Sequence, residues 1–130
     1  MQQGGIRLEL DFNKPNPRGE PIYLQIIRQF KLLVLHGKLK NGDEAPSRRL
    51  LAAQLGVNPN TVQKAFAELE REGLIKQPPN AKSLVCVNED TLKSLRVEIL
   101  ETQVNGMVQA AKLAGLSCEE LVSMICGVFK

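Results

Sequence analysis

The chain has 130 residues, 43% of them hydrophobic, with four Phe, one Tyr and no Trp. That length fits one domain or one domain with a short appendage, excludes a large multidomain enzyme, and calls for a core built mainly from aliphatic side chains. Seventeen Lys and Arg against fourteen Asp and Glu leave a net charge of +3, too little to imply a polyanionic partner by itself, but residues 21–82 hold ten basic and five acidic side chains whereas residues 83–130 hold four and six, so the positive field belongs to the middle of the chain.

Residues 6–12 alternate Ile6, Leu8, Leu10 and Phe12 with charged residues, the period of a half-buried edge strand. Asn13 to Pro21, with three prolines and a glycine, reads as a connector. From Ile22 to His36 the stripe Ile22, Ile26, Phe30, Leu33 and Val34 predicts a helix that Gly37 ends. Asn41, Gly42 and Pro46 predict a turn. Ser47 then caps a short helix with Leu51 and Leu55 inside and Gly56 as its stop. Almost at once Asn58 offers a second cap and Pro59 a first helical residue, with Val57 and Val62 spaced as a hydrophobic staple. The second helix, Pro59 to Glu72, would bury Val62, Ala65, Phe66 and Leu69 and turn Asn60, Thr61, Gln63, Lys64 and Arg71 outward. Two short helices across so tight a turn make a helix-turn-helix.

Leu74–Gln77 and Ser83–Val87 around Pro78-Pro79-Asn80-Ala81 predict a hairpin wing. A long helix from about Asp90 to Ala114 follows, with Val97, Leu100, Val104, Met107, Ala111 and Ala114 as a narrow seam and Leu92, Leu95 and Ile99 as a second row near its start. After Gly115, a capping box (Ser117 with Glu120) and a staple (Leu116 with Leu121) open a last helix carrying Leu121, Val122, Ile125, Val128 and Phe129. The fold expected is mainly α: residues 1–20 as strand and connector, 21–88 as a winged helix-turn-helix with a small β wing, and 89–130 as a two-helix dimerisation tail.

A helix with a polar face and a tight preceding turn suits the DNA major groove. Asn60 and Gln63 can pair bidentately with adenine and Lys64 with guanine, while Ser47, Arg48, Arg49 and Thr61, with the helix amino termini, suit phosphates; Asn58 at the cap completes this set. The three cysteines form no C-x-x-C pair and read as small core hydrophobes, so neither a disulfide framework nor a metal site is expected. His36 in the last turn of its helix is explained by the helix dipole. No carboxylate pair, phosphate loop or nucleophile constellation is present, so no enzyme and no cofactor are expected. The absence of a long apolar run or a signal-peptide pattern points to a cytoplasmic protein without a membrane partner.

The run Pro21-Ile22-Tyr23, Gln25-Ile26, Gly37-Lys38-Leu39, Gly42-Asp43, Pro46-Ser47, Arg49, Leu51-Ala52, Leu55-Gly56-Val57, Asn60-Thr61-Val62, Ala65-Phe66, Leu69-Glu70 and Glu72-Gly73-Leu74-Ile75 resembles the winged-helix domain of the GntR family of bacterial transcriptional regulators. The resemblance implies DNA binding through Arg49, the residues that open the second helix of the pair, and the wing. It departs from the common pattern at Pro59 and Gln63, where many members have arginine, and at Asn80-Ala81-Lys82-Ser83 in place of a Gly-Lys-Gly-Thr wing tip. The operator sequence and the depth of the wing's contact stay open, with Lys82 as the basic candidate at the tip. The short tail looks like that of the YtrA subfamily, whose two tail helices dimerise and whose members often act as repressors near genes for ABC-type transporters. A homodimer contacting a palindromic operator through the helix Pro59–Glu72 is therefore expected, with Val97, Leu100, Val104, Met107, Ala111, Ala114, Leu121 and Ile125 in the dimer contact. Two alternatives remain at this level: a winged-helix module that docks protein rather than DNA, and a regulator with a small-molecule effector in the dimer cleft, for which the apolar lining supplies few orienting groups.

Overall fold

A computed structural model describes residues 11–129. The edge strand expected over residues 6–12 falls almost wholly outside them; of its apolar positions Phe12 is described, and it is buried. The chain divides into two compact units between Lys93 and Ser94.

In the first unit, helix α1 spans Ile22–Leu35, α2 Arg48–Leu55 and α3 Pro59–Arg71. Four of these boundaries have a local cause. Ser47 Oγ accepts the Leu50 N–H at 3.2 Å to open α2, and Asn58 Oδ1 accepts the Asn60 N–H at 2.8 Å to open α3, with Pro59 at its first position. Between them Gly56 takes a left-handed φ of 69°, which lets the Val57 N–H bond back to the Ala52 carbonyl at 3.1 Å and turns the chain in a single residue. α1 ends alike: Gly37 is left-handed, and the Lys38 N–H reaches the Leu33 carbonyl at 2.9 Å.

Helix α3 packs against both α1 and α2. Val62, Ala65, Phe66 and Leu69 on α3 are fully buried with Ile26 and Phe30 of α1 and Leu51 of α2. The Phe30 and Phe66 rings meet edge to face, with centroids 6.4 Å apart and planes at 67°. One charged side chain enters this layer: Lys31 of α1 is buried, and its ammonium lies 3.0 Å from Glu72 at the end of α3. An ammonium out of water needs such a partner, so the pair ties the far end of α3 to α1.

Strands β1 (Ile75–Lys76) and β2 (Leu84–Val85) pair antiparallel, Ile75 opposite Val85 and Lys76 opposite Leu84. The segment before α2, expected as a turn alone, also pairs with β2. Gly42 N–H bonds to the Val85 carbonyl, Val85 N–H to the Asp43 carbonyl and Ala45 N–H to the Ser83 carbonyl, all at 2.8–2.9 Å, with Glu44 bridged to Leu84. The extra pairing covers the second edge of β2. The connector is likewise less loose than its prolines suggest. Gln29 both donates to and accepts from the Asn13 backbone at 2.8 and 2.7 Å, and Gln25 does the same with Asn16 at 2.8 Å, so amide side chains of α1 satisfy backbone groups of the connector.

Helix α4 runs Glu89–Ala114 and α5 Cys118–Val128. Within the second unit, Gly115 is left-handed at φ 78° and the Leu116 N–H bonds to the Ala111 carbonyl at 2.9 Å; the expected capping box then opens α5, with both Ser117–Glu120 hydrogen bonds formed. Val97, Leu100, Val104 and Met107 are 61%, 59%, 49% and 40% exposed, and no residue of α5 is buried. Two corrections follow. Ala111, expected in the exposed seam, is buried within its own chain where the backbone reverses. Cys118 and Cys126, expected in a core, are exposed because α5 has no buried face within this chain, and Cys86 is half-buried. Among the described residues no helix is long and apolar enough to cross a membrane.

Candidate nucleic-acid interface

The polar face of α3 emerges from its own periodicity. With Val62, Phe66 and Leu69 locked inward, Asn60, Gln63 and Lys64 are exposed and Thr61 is half-buried. The Asn60 and Gln63 amides make no hydrogen bond among the described residues and keep their full donor and acceptor capacity. Asn58 is exposed, but its side-chain oxygen is engaged in capping, as is that of Ser47.

The cations around this face differ from one another in ways the sequence did not expose. Arg49, in the first turn of α2, is exposed and has no ion-pair or ring partner among the described residues. Its neighbour Arg48 turns inward. The Arg48 guanidinium lies over the Phe66 ring, 5.1 Å from its centroid, and its Nε is buried without a hydrogen-bond partner. Arg48, expected to suit a phosphate, is thus half-buried with its guanidinium over the aromatic face of a core residue. Arg48→Ala should lower stability by about 1 kcal/mol through loss of that cover, measurable as a shifted denaturant midpoint at unchanged slope; an unmoved midpoint would mean the stacked guanidinium adds nothing.

Lys64 is similarly engaged, its ammonium 4.1 Å from the centroid of the Tyr23 ring in the first turn of α1. Arg71, expected to point outward on the same face, donates from Nε to Glu68 at 2.9 Å and forms a second bond through Nη2. That fork holds the Glu68 carboxyl below the usual carboxylate range and raises Arg71 in turn. On the wing, Lys82 lies 3.6 Å from Glu44, both exposed. The Gln77 amide donates to the Ala81 carbonyl and accepts from the Ser83 hydroxyl, bracing a loop in which Asn80 is left-handed at φ 55°.

Sequence reasoning missed Tyr23 as the partner of Lys64, Phe66 as the seat of Arg48, and Glu44 beside Lys82. Each pair joins different elements, and no local spacing could have signalled it.

The profile of bacterial regulatory proteins of the gntR family matches residues 22–81. The HTH-type transcriptional repressor YtrA of Bacillus subtilis is 41% identical over 108 residues, which cover 82% of this chain and 83% of that protein. The chain belongs to the GntR family. Among solved GntR structures, a regulator from Listeria monocytogenes superposes with a TM-score of 0.76 at 26% identity, over 87% of this chain and 99% of that one. YtrA from Sulfolobus acidocaldarius, a GntR-family transcription factor, gives 0.56 at 36% identity over 72% and 98%. The expected mainly helical winged helix-turn-helix is thus the family's fold, and the likeness covers more of this chain than residues 22–81. GntR proteins form a class of transcriptional regulators, and this chain is a DNA-binding transcriptional regulator.

Proposed function

We propose that this regulator is a cytoplasmic homodimeric repressor that binds a palindromic operator, reading bases with Asn60 and Gln63 of α3 and holding the backbone with Arg49, the amino termini of α2 and α3, and Lys82 on the wing. The observation that carries the reading is the division of α3 into a fully buried apolar side and an exposed side whose amides are unengaged. A helix of that kind can enter a groove about 12 Å wide without disturbing its own packing. The repressor sense follows the naming of the similar Bacillus subtilis protein.

Residues 89–130 form the dimerisation tail in this reading. A stripe from Val97 to Met107 that stands 40–61% exposed, beside a helix with no buried residue, is an apolar surface that water disfavours and a second copy would cover. Two-fold symmetry then sets half-sites about one or two helical turns apart, roughly 10–20 bp. An effector in the cleft has little polar chemistry to hold it.

The test is selection of bound fragments from random DNA followed by a salt series. With about six phosphates contacted, affinity for the selected duplex should fall by orders of magnitude between ~50 and ~200 mM salt. Gln63→Ala should relax preference at one base pair at a cost of roughly 1–3 kcal/mol against the right base, leaving other positions alone. A salt-independent affinity together with no enriched sequence would favour the protein-docking alternative instead.

A further inference from the structure

The Lys64–Tyr23 contact gives the reading of α3 a finer form, and the inference rests on that reading. A helix with its side chains is about 10–12 Å across and nearly fills the major groove, so a neighbouring helix stays outside at the phosphate strand. Tyr23 belongs to such a neighbour, the first turn of α1, and it draws the Lys64 ammonium to within 4.1 Å of its ring centroid. Lys64 is exposed and has no carboxylate partner among the described residues, so its charge stays available to an anion while its direction is set. A lysine with four rotatable bonds otherwise loses much rotamer freedom on docking; a half-buried ring that already holds the ammonium removes part of that loss.

We propose that Tyr23 is a positioning residue that holds Lys64 at the rim of the groove, making Lys64 a phosphate contact rather than a reader of bases. Asn60 and Gln63 are then left to choose the sequence. The ring's attraction for a cation does not depend on the phenol hydroxyl, so Phe can replace Tyr at this task.

The experiment uses the full chain and the duplex that the wild type selects, with a panel of its single-base-pair variants, and compares Y23F, Y23M, K64M and Y23M/K64M. Thermal unfolding of each variant verifies folding. K64M should lower affinity by the same factor, about three- to ten-fold, for every duplex in the panel and should flatten the salt slope by about 1. Y23F should match the wild type, Y23M should lose part of what K64M loses, and the double variant should lose no more than K64M. A change of preference at particular base pairs in K64M overturns the phosphate assignment, and additive losses in the double variant overturn the action of Tyr23 through Lys64. Should Y23M fail to fold, the K64M preference profile and Y23F decide alone. A wild type that selects no duplex defeats the operator reading itself; either of the other adverse results leaves that reading standing and removes only this one.

Discussion

Glutamate at both Leu100 and Val104 should convert the protein to a monomer and reduce operator affinity by about 10²- to 10⁴-fold. The two positions lie in the middle of the exposed apolar stripe of α4, 59% and 49% open in the isolated chain. Closing a two-fold contact over them would bury carboxylates with no opposing charge, since the stripe around them is Val97, Met107 and Ala114. The loss of affinity arises because each winged helix would then have to find its half-site alone, without the effective concentration that linkage supplies. Light scattering after gel filtration reports the mass, and a titration with the selected duplex reports the affinity. A variant that remains dimeric would show that the stripe is not the contact. A monomer that keeps full affinity would show that pairing of half-sites contributes nothing. The first unit has its own buried core, so its circular dichroism should persist in either case.

Phe66→Ala should be the most damaging single change to the fold. The ring is fully buried, meets Phe30 edge to face at 6.4 Å and carries the Arg48 guanidinium at 5.1 Å. Truncation removes apolar burial, leaves a cavity between three helices and deprives a half-buried cation of its seat, together about 3–5 kcal/mol. Small domains have a total stability of ~5–15 kcal/mol, so much of it disappears. Denaturant titration should give a strongly lowered midpoint, and operator binding should fall with it, because this packing orients α3. Phe66→Leu, which keeps most of the volume, should lose far less. Equal midpoints for Phe66→Ala and the wild type would contradict the place given to this ring in the core.

Much of the helix layout is legible from local chemistry. Ser47, Asn58 and Ser117 announce helix starts because a side-chain oxygen three or fewer residues from an unpaired N–H satisfies it wherever the chain goes next. Gly37, Gly56 and Gly115 announce the ends because a left-handed residue is needed there and other residue types resist it. The inward rows of α1 and α3 follow from helical spacing. The exposed amides of Asn60 and Gln63 follow in turn, as whatever lies opposite such a row faces away from the core.

Contacts between elements are another matter. Arg48 and Arg49 are adjacent and identical in type, yet one stacks on a core ring and the other faces solvent. The difference is a helical rotation of about 100° acting on a neighbour that only the packed fold supplies. Lys31 interrupts an apolar stripe and is buried because Glu72 waits at the end of another helix. The segment around Glu44 becomes a third line of the wing because β2 has a vacant edge. Ala111 sits in register with the seam and is nonetheless covered, since the turn at Gly115 brings the chain back.

From its residues alone this protein fixes where its helices begin and stop, which side of each is apolar, and the family to which its middle half is similar, because caps, left-handed glycines and periodicity act over a few residues and need no third dimension. Which cations remain available to an anion was settled only by folding. Charge is placed by the rings and carboxylates that distant segments bring alongside it, and their distance along the chain carries no trace of that proximity.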